Sequence, residues 1–289
     1  MRIHGTPVAA TAIFVAAFSA LLAAQAPSAA ARMEPSDADL AQPNFLPLGP
    51  PANLKPSKVP DLSGDWALVN FGQSLSAADP GGRLRGKEPD IPYKPWALAK
   101  TLSEVPPTGP DANFERNTDP NIHYCEPLGL GRVYMYPAKT KFIQTPEAVY
   151  ILHELGPAFR VVWLNAKHPE DPDPQYWGHS IGWYENDNTL VVDTVGVNDK
   201  SWLDQLGHPR TERMHFIERY TRVDATSMSL DMTVDDPGAY TAPWPGKRNF
   251  KTSTTGFMRY MWVCSVRDNY EHYEKVGKLG TTGETSFKP

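Results

Sequence analysis

The chain has 289 residues, a formal net charge of −5 and 40% hydrophobic residues, a composition that suits one large β domain or two small ones. Its acidic balance excludes nucleic acid as the expected partner, since phosphate binding needs a clustered basic surface, and KTK at 139–141 and GKR at 246–248 are too short to supply one. GHSIG at 178–182 has the Gly-x-Ser-x-Gly spacing but lacks the nucleophile-elbow context, and no His-Glu-x-x-His, phosphate-loop or dinucleotide fingerprint occurs, which weakens serine hydrolase, zinc protease, NTPase and dehydrogenase readings together.

Residues 1–31 read as a cleaved signal peptide. Arg2 and His4 make a short basic start, Val8 to Ala24 is an apolar run without a charge, and Ala29-Ala30-Ala31 offers a small-x-small cleavage site. An N-terminal anchor is the alternative, but the run is slightly short for a spanning helix and small residues follow it. The mature chain is therefore expected to be periplasmic or secreted, with no stable membrane insertion. Residues 32–60 are rich in proline and read as a linker, or as an arm laid over the domain.

A single domain is expected over 61–289. Within it, residues 75–130 pattern poorly. So long a stretch with little structure is uncommon unless it covers a site or is disordered, and its tryptophan, tyrosines and cysteine favour an irregular, ordered cover. One short helix is predicted at PWALAKTLSEV (95–105), ending before Pro106.

Strands are predicted at KFIQ (141–144), AVYILHE (148–154), FRVVWLN (159–165), HSIGWYE (179–185), TLVVDT (189–194), ERMHFIERYTRV (212–223), MSLDMTVDD (228–236) and GFMRYMWVC (256–264). PGAYTAPWPGKR (237–248) reads as a loop, and a helix is predicted over 268–280. Short strands in even succession, without helix-period segments between them, indicate an all-β fold. The expected architecture is an antiparallel calycin-like β-barrel, with a β-sandwich as the second choice.

Alternation assigns faces, because strand side chains switch sides at every residue. Met214, Phe216, Glu218 and Tyr220 share one side of their strand; His215, Ile217, Arg219 and Thr221 share the other. Ionisable residues on both faces mean that one charge must meet a partner or a cavity. His215 and Glu218 cannot form one dyad.

LSGDW (62–66) opens the first strand with a Gly-x-Trp, which is similar to the start of lipocalin-type calycin barrels. That resemblance implies a tryptophan closing one barrel end beneath an arginine from a late strand, with Arg259 and Arg267 as counterparts. A longer resemblance is carried by PWALAK (95–100), CEPLGLGR (125–132), FIQTPEAVYILHE (142–154), HPEDPDPQYWGHSIGWYENDNTLVVDTVGVN (168–198), HPRTERMHFIERYTRVD (208–224) and DDPGAYTAPW (235–244). These segments resemble a family of exported bacterial β-rich proteins. The usual hairpin there is Trp-Glu-Gly-Asp-Thr-Leu-Val-Val; here Tyr184 and Asn186 replace its tryptophan and glycine, and one extra residue enters the turn. The resemblance implies an exported β domain and no particular reaction.

The candidate catalytic set is His179, Asp193, Glu154 and Arg160. His179 shares a strand face with Ile181, Trp183 and Glu185, where an imidazole can serve as a base near neutral pH. Asp193 and Glu154 end their strands and are candidates to orient it, although a cap or turn contact is the favoured explanation for each. Arg160 suits a carboxylate or a developing oxyanion, or a structural ion pair with Glu154. Trp177, Trp183, Tyr184, Trp202, Trp244, His168 and His208 are candidate substrate-binding residues, since aromatics beside loops suit a cavity for a ring-bearing ligand. Core and rim packing is the competing explanation for each aromatic.

Cys125 and Cys264 are the two cysteines. In an oxidising compartment such a pair reads first as a disulfide, otherwise as two buried thiols. His123 and Cys125 have same-face ligand spacing without a second pair, so no metal is expected, and no cofactor either. Two functions follow. The first is an exported enzyme using cofactor-free acid–base chemistry (elimination, hydration or isomerisation) on a small aromatic or sugar-like substrate; the second is a non-catalytic, lipocalin-like binder of a small hydrophobic ligand.

Overall fold

The computed structural model describes residues 33–52, 54, 56–155 and 159–256. The stretch read as a signal peptide, Cys264, Arg259, Arg267, the helix expected over 268–280 and almost all of the strand expected at 256–264 lie outside them. Among the described residues no helix is long and apolar enough to cross a membrane.

Nine strands close into one barrel: β1 Gly64–Leu68, β2 Lys139–Gln144, β3 Ala148–His153, β4 Phe159–Leu164, β5 His179–Asn186, β6 Thr189–Val195, β7 His215–Arg222, β8 Ser227–Asp235 and β9 Trp244–Thr252. Each pairs with the next and β9 pairs with β1, so the sandwich alternative falls away. The expected helix is present at Pro95–Ser103. Proline in its first turn costs no hydrogen bond, and Glu104 turns to extended backbone before Pro106.

Two expectations need correction. The barrel is not wholly antiparallel, because β4 and β5 run side by side in the same direction, with Val162 opposite Ser180 and Trp163 opposite Ile181. The stretch 237–248 is also not all loop: β9 begins inside it, at Trp244. Its inward residues are Trp244, Gly246, Arg248 and Phe250, a set that hides the usual apolar alternation. Pro245, the strand's second residue, is exposed.

The register defines two rims. At the lower one, where β1 and β8 begin and β7 and β9 end, Trp66 fills the barrel and donates from Nε1 to the Leu62 carbonyl at 2.8 Å. The arginine above it is Arg222 from β7, 5.3 Å from the ring centroid. At the upper rim the irregular cover docks. Ser76 bridges Gly246, and Ala77 donates to the Pro245 carbonyl at 3.1 Å, so the cover extends the sheet. Only a glycine permits this approach, since a Cβ at position 246 would stand 2.8 Å from the Leu75 carbonyl oxygen. A short 3-10 turn, Arg132–Met135, sends Tyr134 and Met135 into the core. Arg248 fastens it from below, donating to the carbonyls of Tyr134 at 3.0 Å and Ser74 at 2.6 Å.

Candidate functional site

The strand ends at the upper rim carry two polar systems on opposite faces of the wall. Inside, Arg160 of β4 meets Glu218 of β7 through two contacts, Nη1–Oε1 at 2.9 Å and Nη2–Oε2 at 2.6 Å. Ser180 and Thr194 accept from the same guanidinium at 3.1 Å each. The Tyr134 and Tyr220 hydroxyls both donate to Glu218 Oε1, at 2.5 and 2.8 Å. Burial opposes the Arg160 charge, but Glu218 beside it raises its pKa above the ordinary arginine value. Next to this cluster, His153 is stacked on Trp177 (5.4 Å between centroids, 14° between planes) and meets the Tyr134 ring edge-on. Burial, with Arg160 nearby, pushes His153 down to about 3, so it is neutral throughout the working pH range.

The outer system is a chain of five side chains across β5 to β8. His179 Nδ1 lies 3.0 Å from His168 Nδ1, and His168 Nε2 lies 3.2 Å from Asp193 Oδ1. His215 Nε2 stands 2.7 Å from the same Asp193 oxygen, and its Nδ1 is 3.4 Å from Asp235 Oδ2. Burial works against a charged His215, yet hydrogen bonds to its two carboxylates, with their charges, push it up to about 9. Burial would raise Asp193, but hydrogen bonds from His168 and His215 hold it below the ordinary carboxylate range. His179, half-buried and next to His168, is lowered by desolvation first and by that neighbour second.

The N-terminal arm lies across this chain. Phe45 and Leu46 donate their backbone N–H groups to Asp235 at 3.1 and 2.8 Å, and Gly49 donates to Asp193 at 2.6 Å. The two aspartates therefore have a structural task as well as an electrostatic one.

The hydrogen-bond pattern fixes the proton positions in the neutral His179–His168 pair. Asp193 accepts, so His168 carries its proton on Nε2 and offers a lone pair at Nδ1. His179 must then donate from Nδ1. Its Nε2 is left as the basic nitrogen. A proton taken there can be passed along the pair to the imidazole beside Asp193.

Of the four residues proposed from sequence, the structure brings together His179 and Asp193, through His168. Arg160 points into the barrel and Glu218 neutralises it, so neither a role at His179 nor the expected ion pair with Glu154 holds. Glu154 instead accepts the Lys139 backbone N–H at 3.0 Å and pairs with the Lys139 ammonium at 3.5 Å. Among the proposed binding residues, His168 belongs to the chain and half-buried Trp183 shares its outer face. Trp177 packs on His153. Tyr184 turns inward and accepts from Gln144 at 3.0 Å. Trp244 is core, and Trp202 packs under the Arg132 guanidinium. His208 is buried between Asp204 at 2.5 Å and Glu88 at 3.2 Å.

Sequence reasoning did not single out Glu218, His215, Asp235, His153 or Tyr134 as members of these systems. One signal was available: the ionisable residues on both faces of β7, which require partners on both sides of the wall. Among the described residues no three His, Cys, Asp or Glu side chains converge as a metal site. Neither a protein-family model nor a curated protein sequence matches the chain.

Proposed function

We propose that the protein is an exported enzyme in which His179 moves a proton on a small ring-bearing or sugar-like substrate, by elimination, hydration or isomerisation, without a cofactor. The observation that carries this reading is the Asp193–His168–His179 chain, which leaves one basic nitrogen at its solvent end. A base of this kind is most useful when its pKa sits near the working pH, and the lowered His179 stays unprotonated in neutral solution. Asp193 stabilises the charge after His168 has taken up the relayed proton. The outer faces of β4 and β5 add an apolar platform, with Trp163 and Phe159 exposed and Trp183 on the same side as His179, on which a ring can lie.

Export and a Cys125–Cys264 disulfide belong to the same proposal. Cell fractionation checks the first; alkylation of the purified mature chain before and after reduction, read by mass, checks the second.

The enzymatic reading is tested by incubating the purified protein with a metabolite mixture and following depletion. Wild type should consume at least one compound, and folded His179→Gln should lose at least about a hundredfold in rate, the usual share of a general base. Equal depletion by both proteins, or by neither, would sink the idea.

A further inference from the structure

We infer that the upper rim holds a second, non-catalytic site for a neutral ring-bearing molecule with a carbonyl or hydroxyl oxygen. A cavity of about 400 Å³ opens between the segment leaving β1 and the segment entering β2, walled by Phe71, Gln73, Met135, Tyr136, Pro137 and Gln205. That volume lies within the range of small-molecule sites, which combine apolar walls with a few placed polar groups.

The polar groups are defined by what already occupies them. The Tyr136 oxygen accepts two N–H bonds from Arg132, at 3.3 and 3.1 Å. Both lone pairs are used, so its O–H is left to donate, and the adjoining guanidinium polarises it. Gln205 has its carbonyl taken by the Thr108 hydroxyl at 3.1 Å, which orients its amide nitrogen as a donor. The Gln205 backbone is tied to Gln73 by a 3.0 Å hydrogen bond, so the two walls are held together. Both side-chain donors suit an oxygen acceptor on the ligand. The Phe71 ring, 54% exposed, offers a stacking face.

Charge selects further. The lining contains no acidic or basic side chain, and Arg132, which holds Tyr136, is paired with Asp119. An anion would find no charged donor in the lining, and a cation no carboxylate. The ligand class is therefore neutral. None of the lining residues belongs to the histidine chain, so this inference is independent of the proton-transfer proposal.

Acetophenone and benzoate make a matched test, alike in size and opposite in charge character. In a titration of the ¹⁵N-labelled protein, acetophenone should shift the amides of Gly72, Gly81 and Gln205, and benzoate should not. Tyr136→Phe and Gln205→Leu should each weaken acetophenone binding roughly tenfold, the worth of one hydrogen bond to a polarised donor. His179→Gln should bind like wild type. Should Tyr136→Phe fail to fold, Gln205→Leu decides alone. The site is refuted if acetophenone leaves these amides unmoved up to its solubility, if benzoate binds as well, or if the folded variants bind like wild type.

Discussion

Arg160 is 3% exposed and gives both terminal nitrogens to Glu218, so cutting either partner strands a charge inside the barrel. A buried pair broken on one side costs about 3–5 kcal/mol, whereas replacing both partners by apolar groups is often neutral. Arg160→Met should therefore lower the urea-unfolding free energy by about 3–5 kcal/mol, and Arg160→Met combined with Glu218→Leu should recover most of it. The Tyr134 and Tyr220 hydroxyls, 2.5 Å apart, can still satisfy each other in the double variant. A double variant as unstable as the single one would contradict this account. In sequence, Arg160 carried its charge visibly but not its direction. The inward position of Glu218 followed from alternation along β7; its pairing with a residue 58 positions away did not.

At the scale of elements, the signal of short β-rich runs between turn residues located β2 to β8. It missed β9, where glycine and arginine occupy inward positions to admit the cover. Gly246→Ala should show what that admission is worth. A Cβ would press on the Leu75 backbone, which cannot swing aside, and overpacking of this kind costs about 1–3 kcal/mol. The expected result is faster proteolytic cutting within residues 75–130 together with a lower urea midpoint; an unchanged cutting rate would show that the cover yields without loss. The arm makes a separate test. Asp235→Ala removes the acceptor shared by Phe45 and Leu46, so hydrogen exchange at those two amides should accelerate at least tenfold, while amides within β2 to β4 keep their rates. Equal rates at Phe45 and Leu46 in both proteins would mean that the arm is held elsewhere.

For the molecule as a whole, two buried imidazoliums link stability to pH. His208 sits between Asp204 and Glu88, and burial opposes its charge; Asp204 first, then Glu88, raise it to about 9, the value His215 also reaches. A group with a raised folded pKa stabilises fully below its unfolded value of 6.5 and loses that contribution as pH climbs through the folded one. The thermal midpoint should therefore fall between about pH 6.5 and 9. In His208→Gln, part of that slope should vanish; an identical slope in the variant would remove His208 from the explanation. The acid side behaves oppositely, because Asp193, Asp204 and Glu88 are all lowered and give up their contribution only at low pH.

The strand count has a consequence of its own. Around a closed ring each antiparallel contact reverses direction, and after one circuit the direction must agree with itself. The number of reversals is therefore even, and a ring of nine strands must contain a contact without reversal. Here it falls between β4 and β5. Parallel neighbours cannot be joined by a tight hairpin, so residues 165–178 must carry the chain back from the lower rim to the upper one. That return journey delivers His168 to His179 and Trp177 to His153. With an even number of the same strands alternating in direction, no such return would be required, and the basic nitrogen of His179 would stand without a connection to Asp193. The contact chain from His179 through His168 to Asp193 is, in this sense, a product of odd parity.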